Sequence, residues 1–227
     1  SGVITVISTT GFSSSGALQI DDEQFTYTGV TSTTFTGVTR ATNSTTAAIH
    51  SASSDTSRTV VSESWTERDT GRSNAGKYSL ERFNFDGTNK IVLVDGANAP
   101  VVFNTSIVAT DISESSVAGA NIVTSFREHM FYAGMSSTPQ EVVFSVAFDE
   151  DNFSSGAGAG SIRVDDTIVG LKVFRDSLFI FCENRIFKLT GSSSANFAIT
   201  PVTRDIGCIN GKTIQEFAGD LIFLGPD

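Results

Sequence analysis

Between Phe85 and Leu224 one pattern recurs four times: a polar or turn dipeptide followed by a short apolar run that reads as a strand. The runs are IVLV after Asn89-Lys90, MFYA after Glu128-His129, LFIF after Asp176-Ser177 and LIFL after Gly219-Asp220. Phe126, Phe174 and Phe217 lead three of them at the same offset. From Ile91 through Met130 and Leu178 to Leu221, the spacings are 39, 48 and 43 residues. A period of roughly 40–50 residues with several short strands per unit is what propeller blades show, whereas helical repeats of that length carry amphipathic helices. Repetition therefore narrows the fold before any motif is considered.

Composition points the same way. Ser and Thr make up about a quarter of the 227 residues, with 20 Gly and 18 Phe, and runs of Ala, Leu, Glu and Lys that favour helix are missing. The expectation is an all-β chain with enough apolar residues for a real core. Residues 1–60 form a small antiparallel hairpin module, in which VITVI (Val3 to Ile7), ALQIDDEQFTYTG (Ala17 to Gly29) and TTFTGVTR (Thr33 to Arg40) alternate apolar and polar with period two. Residues 61–82 read as a polar connector holding Trp65 and Tyr78, and residues 83–227 as propeller-like repeats of about 40–48 residues. The last repeat reads as incomplete, as in part of a longer polypeptide. Asp-Gly turns at Asp86 to Asn89 and Asp95 to Asn98 separate strands, because glycine tolerates the positive φ of a tight turn. The segment Val164 to Val202 offers four strands, a blade's complement.

A formal net charge of −10, with 15 Lys and Arg scattered along the chain, argues against a nucleic-acid-binding surface, which needs clustered cations. No apolar stretch approaches the roughly 18 residues that cross a bilayer as a helix, and the first twenty residues lack a signal-peptide pattern. A soluble protein not targeted for secretion is expected. Cys182, ending a strand, and Cys208, in an IGCING turn, read as buried free thiols, a single bridge between them being the alternative.

The chemistry-bearing candidates are few. DEDN (Asp149 to Asn152) could offer hard oxygen ligands to a calcium ion but lacks EF-hand spacing, so a solvated hairpin tip is expected. The acidic residues of IDDE (Ile20 to Glu23) and of Val164-Asp165-Asp166 are likewise expected to face water. Asp149 and Asp151 are the carboxylates to which a glycosidase would be pinned, but nothing places two carboxylates across a cleft and the S-x-D-x-G-x-x-W box is absent. No G-x-S-x-G elbow occurs, His50 and His129 have no partner visible in sequence, and His129 is expected at a turn or strand edge. GAGAG (Gly156 to Gly160) precedes a strand instead of opening a helix, so it reads as a loop and not a phosphate cradle. The sequons at Asn43, Asn104 and Asn152 are as many as chance supplies. The expectation is a non-enzyme with no catalytic, cofactor-binding or metal-ligating residue.

The segment Gly16 to His50 resembles a small module of tail and other virion proteins of tailed bacteriophages. The matching residues are Gly16, Ile20, Asp21, Glu23, Tyr27, Thr28, Gly29, Phe35, Gly37, Val38, Arg40, Ala48 and His50, with Ala41 standing where the module usually carries glycine. The stretch from Ile168 to Asp227 is similar to the propeller-like region of phage tail-tube and nozzle proteins. The resemblance implies a structural component of a phage tail, a tube terminus or nozzle lining part of the DNA-ejection conduit. It implies a homo-oligomeric ring of six copies, docking to other tail proteins, assembly in the host cytoplasm, transient passage of DNA and no catalytic residue. The competing expectation is a tail module that binds a host-surface glycan or receptor through exposed aromatics, for which Trp65 and Tyr78 are the candidates.

Overall fold

In the computed structural model, residues 2–50, 68–73 and 77–226 are described. The chain divides into two compact units, Ser1–Glu67 and Arg68–Asp227. Trp65, with residues 61–67 and 74–76 of the expected connector, lies outside the described residues.

The first unit is built from β1 (Gly2–Thr5), β2 (Gly16–Ile20), β3 (Glu23–Tyr27), β4 (Gly29–Val30) and β5 (Thr34–Val38). β2 and β3 form an antiparallel hairpin, while β5 pairs with both β1 and β4. The β2–β3 connection is the two-residue turn Asp21-Asp22, with Asp21 at φ 53°, a left-handed conformation that aspartate tolerates better than most side chains. Alternation along β3 sends Glu23, Phe25 and Tyr27 to the interior. There Leu18, Phe25, Tyr27, Phe35 and Val38 form the core, with the Tyr27 and Phe12 rings packed against Phe35 at centroid distances of 4.7 and 4.9 Å. Gly37 is required where it stands: its φ is +63°, and a Cβ there would run into the Thr28 hydroxyl.

The second unit holds three four-stranded antiparallel sheets, each in chain order. The first is β6 (Ser79–Phe83), β7 (Lys90–Val94), β8 (Val101–Phe103) and β9 (Ala109–Asp111). The second is β10 (Ile122–Phe126), β11 (His129–Ala133), β12 (Glu141–Phe144) and β13 (Gly160–Arg163). The third is β14 (Ile168–Phe174), β15 (Ser177–Cys182), β16 (Ile186–Thr190) and β17 (Ala198–Thr203), and a two-stranded hairpin, β18 (Gln215–Phe217) and β19 (Asp220–Ile222), follows. β10 lies against both β6 and β14, so the first strands of successive sheets are neighbours, as in blades arranged about an axis. β6 begins inside the stretch expected to be connector, so the first sheet starts earlier than Phe83.

Ile91, Met130, Leu178 and Leu221 each occupy the second position of the second strand of their sheet or hairpin. They share a direction too. Met130 and Tyr132 pack with Phe83, Val92 and Val94 of the preceding sheet, while their alternating neighbours Phe131 and Ala133 pack with Leu178, Ile180 and Cys182 of the following one. Leu221 in turn packs on Phe181, Ile186, Cys208 and Ile214. The row thus faces backward along the chain, and Ile91, in the first sheet of its unit, is 41% exposed while Met130 and Leu178 are fully buried. The second strands β11 and β15 are apolar on both faces because each is sandwiched, which is why their runs show no polar alternation, whereas β19 packs on one side only, through Leu221.

Phe126, Phe174 and Phe217 each close a first strand, paired across a two-residue hairpin with His129, Ser177 and Asp220. Phe83 is their fourth equivalent, paired with Lys90. A longer turn containing Asp86-Gly87 hides it from an offset count, and there the Asp86 carboxylate accepts the Thr88 N–H at 2.9 Å while Gly87 takes φ 85°.

Candidate functional site

Two places concentrate polar side chains: a buried clasp in the first unit and a cleft in the second. The clasp is centred on Glu23, whose side chain has no solvent exposure. Arg40 donates to it twice, Nε to Oε1 at 2.9 Å and Nη2 to Oε2 at 2.6 Å, in the fork geometry a guanidinium matches to a carboxylate. The backbone N–H groups of Ala41 and Ala48 donate to the same carboxylate at 3.1 and 2.9 Å. His50 places Nε2 at 2.8 Å from Glu23 Oε2 and Nδ1 at 2.7 Å from Asp21 Oδ2. An imidazole with a carboxylate oxygen at each nitrogen satisfies both contacts only when it donates from both, that is, as the cation. Arg40 also donates to the Ala48 carbonyl and lies 5.5 Å over the Phe25 ring.

The electrostatics follow from these contacts. Arg40, the backbone donors and His50 together outweigh burial and hold the Glu23 carboxyl far below the usual carboxylate range. The Asp21 and Glu23 hydrogen bonds raise His50 above its ordinary value of 6.5. The expectation that the IDDE carboxylates face water therefore fails for Glu23, for a simple reason: strand parity places it on the same face as Phe25 and Tyr27. His50, without a visible partner in sequence, has two. The clasp pins the Thr-rich loop from Thr42 to His50 onto the β2–β3 hairpin, and with both imidazole nitrogens engaged it is built for cohesion.

In the second unit the DEDN turn also departs from a solvated tip. Glu150 is buried, paired with Lys90 of the first sheet at 2.8 Å, and its carbonyl accepts the Tyr132 hydroxyl at 3.3 Å. Asp151 stays exposed, and Asp149 accepts the Asn152 amide at 3.1 Å. The segment ties two sheets together. Of the other acidic pair, Asp165 is exposed and bonded to Arg185, and Asp166 accepts the Asn184 N–H at 2.7 Å. His129 opens β11 directly after the hairpin turn and is buried there: it is 1% exposed, its Nδ1 donates to the Ser145 carbonyl at 2.6 Å, and Phe131, Phe144 and Phe197 surround it. Cys182 and Cys208 are buried free thiols, and burial pushes the Cys182 thiol up to about 12. Among the described residues, no group of three or more His, Cys, Asp and Glu side chains has the geometry to hold a metal ion.

Neighbouring sheets are joined by a recurring polar tie. Arg127, in the β10–β11 hairpin, stacks on Phe126 and donates to the Asp176 carbonyl in the next hairpin at 3.3 Å. Arg175, one sheet later, stacks on Phe174 and donates to the Gly219 carbonyl at 2.9 Å. Between the first and second sheets, Ser125 donates through N–H and hydroxyl to Glu81 at 2.8 and 2.6 Å.

At the opposite ends of the first strands, away from these hairpins, lies a cleft of about 700 Å³. Its walls come from Lys77 to Ser79, the turn Asp95 to Ala97, Asn121 to Val123, Val169 to Leu171 and Asn210 to Lys212. Tyr78, an aromatic singled out from sequence, stands at this cleft and is 55% exposed. The cleft itself has no linear signature, because its residues come from five separated segments.

Compared with known protein families and with curated proteins, the sequence matches none.

Proposed function

We propose that this chain is a non-enzymatic structural component of a phage tail, a tube terminus or nozzle that works as part of a homo-oligomeric ring. One observation carries the reading: five of the thirteen residues on which the resemblance to a virion module rests form the clasp. Asp21, Glu23, Arg40, Ala48 and His50 are scattered through thirty residues of sequence and meet within hydrogen-bond distance. A motif that serves to lock a loop onto a hairpin suits a part whose work is mechanical. The sandwiched sheets support the same reading, since each internal row is buried from both sides and neighbouring hairpins are tied by arginine. Rings follow from head-to-tail contacts whose rotation closes.

Native mass spectrometry of the full chain tests this. Rings of one defined stoichiometry, six copies on the resemblance, are expected. A chain that remains monomeric at every concentration up to its solubility limit would overturn the proposal.

A further inference from the structure

We propose that the cleft at the ends of the first strands binds a carboxylated oligosaccharide. Its volume of about 700 Å³ lies within the range of roughly 300–1,000 Å³ typical of small-ligand sites. The charged side chains among its walls are Lys77, Lys212 and Asp95. Asp95 is already engaged, accepting the N–H groups of Ala97 and Asn98 at 3.0 and 2.8 Å and the Asn98 amide at 2.7 Å, with Arg72 Nε at 3.5 Å. Neither lysine is in an ion pair among the described residues. On a chain with net charge −10, the cleft therefore presents two lysines without an ion pair among the described residues, beside one carboxylate already held by backbone and side-chain donors.

The remaining chemistry narrows the ligand. Tyr78 offers an exposed ring face on which a sugar can stack, and Ser79, Asn121 and Asn210 add hydroxyl and amide groups suited to sugar hydroxyls. Gly170 and Gly211 let β14 and the turn at Gly211 close on each other to form this wall: a Cβ on Gly170 would meet Ile214 Cδ1 at 2.6 Å and Gly211 Cα at 3.0 Å. Two lysines without arginine are too few to neutralise a nucleic-acid backbone, where affinity grows with each phosphate contacted. An anionic, hydroxyl-rich, ring-shaped ligand fits all three features together. This inference does not rest on the virion reading, since the cleft lies wholly within the second unit and uses none of the clasp residues.

Isothermal titration of the full chain with tetragalacturonate and with a sialic-acid tetramer tests it, with maltotetraose, inorganic phosphate and a single-stranded oligonucleotide as comparators. Saturable binding of at least one acidic saccharide, weakened by added salt, is expected, with none for maltotetraose. The double variant Lys77→Gln, Lys212→Gln should weaken it by about tenfold or more, and Tyr78→Ala should weaken it separately. All three side chains are exposed, and unchanged circular dichroism and melting will show that the variants fold. Failure of both acidic saccharides to bind would overturn the proposal, as would equal binding of the neutral one, insensitivity to the lysine substitutions, or a preference for phosphate or the oligonucleotide.

Discussion

Leu178→Ala and Ile91→Ala alter the same position of two repeats and should have very different consequences. Leu178 is fully buried among Phe126, Phe131, Val142, Ile180 and Leu189, whereas Ile91 is 41% exposed. Truncating a fully buried leucine removes three carbons at about 0.8 kcal/mol each, roughly 2.4 kcal/mol of transfer, and a partly collapsed cavity raises the loss to about 3–4 kcal/mol. At Ile91 only some three fifths of the transfer applies and the gap opens to solvent, so about 1–1.5 kcal/mol is expected. Met130→Ala, fully buried at the same position of the second sheet, should resemble Leu178→Ala. Thermal unfolding of the full chain, followed by hydrogen exchange in peptides of the second unit, separates its transition from that of the first. For a unit of this size each kcal/mol corresponds to about 2–4 °C in midpoint, so Leu178→Ala should lower the melting midpoint at least about twice as far as Ile91→Ala. Equal losses at the two positions, or a larger one at Ile91, would refute the assignment of this row to the interface with the preceding sheet.

Four further outcomes are expected. Glu23→Gln should speed hydrogen exchange across Thr42 to His50 and lower the melting midpoint of the first unit, leaving the second unchanged. Because His50 is raised above 6.5 in the fold, its contribution is complete below that value and is lost as pH rises through the raised one. The first unit should therefore melt higher at pH 5.5 than at pH 9 (about one unit below, and well above, the ordinary histidine value), a difference that His50→Gln should abolish. Gly207→Ala would drive a Cβ into the Glu183 carbonyl and should cost about 1–3 kcal/mol, read as a lower unfolding midpoint with faster exchange from Glu183 to Asn210. Cys182, with its thiol pushed up to about 12, should resist iodoacetamide at mildly alkaline pH in the native protein and react once urea unfolds it.

The strands were legible wherever burial made them so. LFIF and MFYA are apolar on both faces because a sheet lies on either side, and such runs are conspicuous without any periodicity. β6 resembles connector because it packs on one side only: SLERF sets the adjacent charges Glu81 and Arg82 between Leu80, 60% exposed, and Phe83, its one buried residue. Phe83 escaped for a related reason, since the longer β6–β7 turn breaks the offset the other three phenylalanines share. The clasp was half visible. The spacing Glu23, Phe25, Tyr27 already puts the carboxylate on the aromatic face, but the general tendency of acidic residues to face water outweighed that parity. Its partners could not be read at all, because Arg40 and His50 reach Glu23 across 17 and 27 residues through a loop with no regular period. Glu150 is the same case at a separation of 60 residues from Lys90. The cleft has no signal short of the tertiary fold.

Residence of the chain in an assembled tail is the most direct test of a structural role. Cryo-electron microscopy of purified particles from the source lysate, with mass spectrometry of the same preparation, should find it at a fixed copy number in the tail, its copies ranged about the tube axis. Intact, infectious particles that lack the chain altogether would contradict the account.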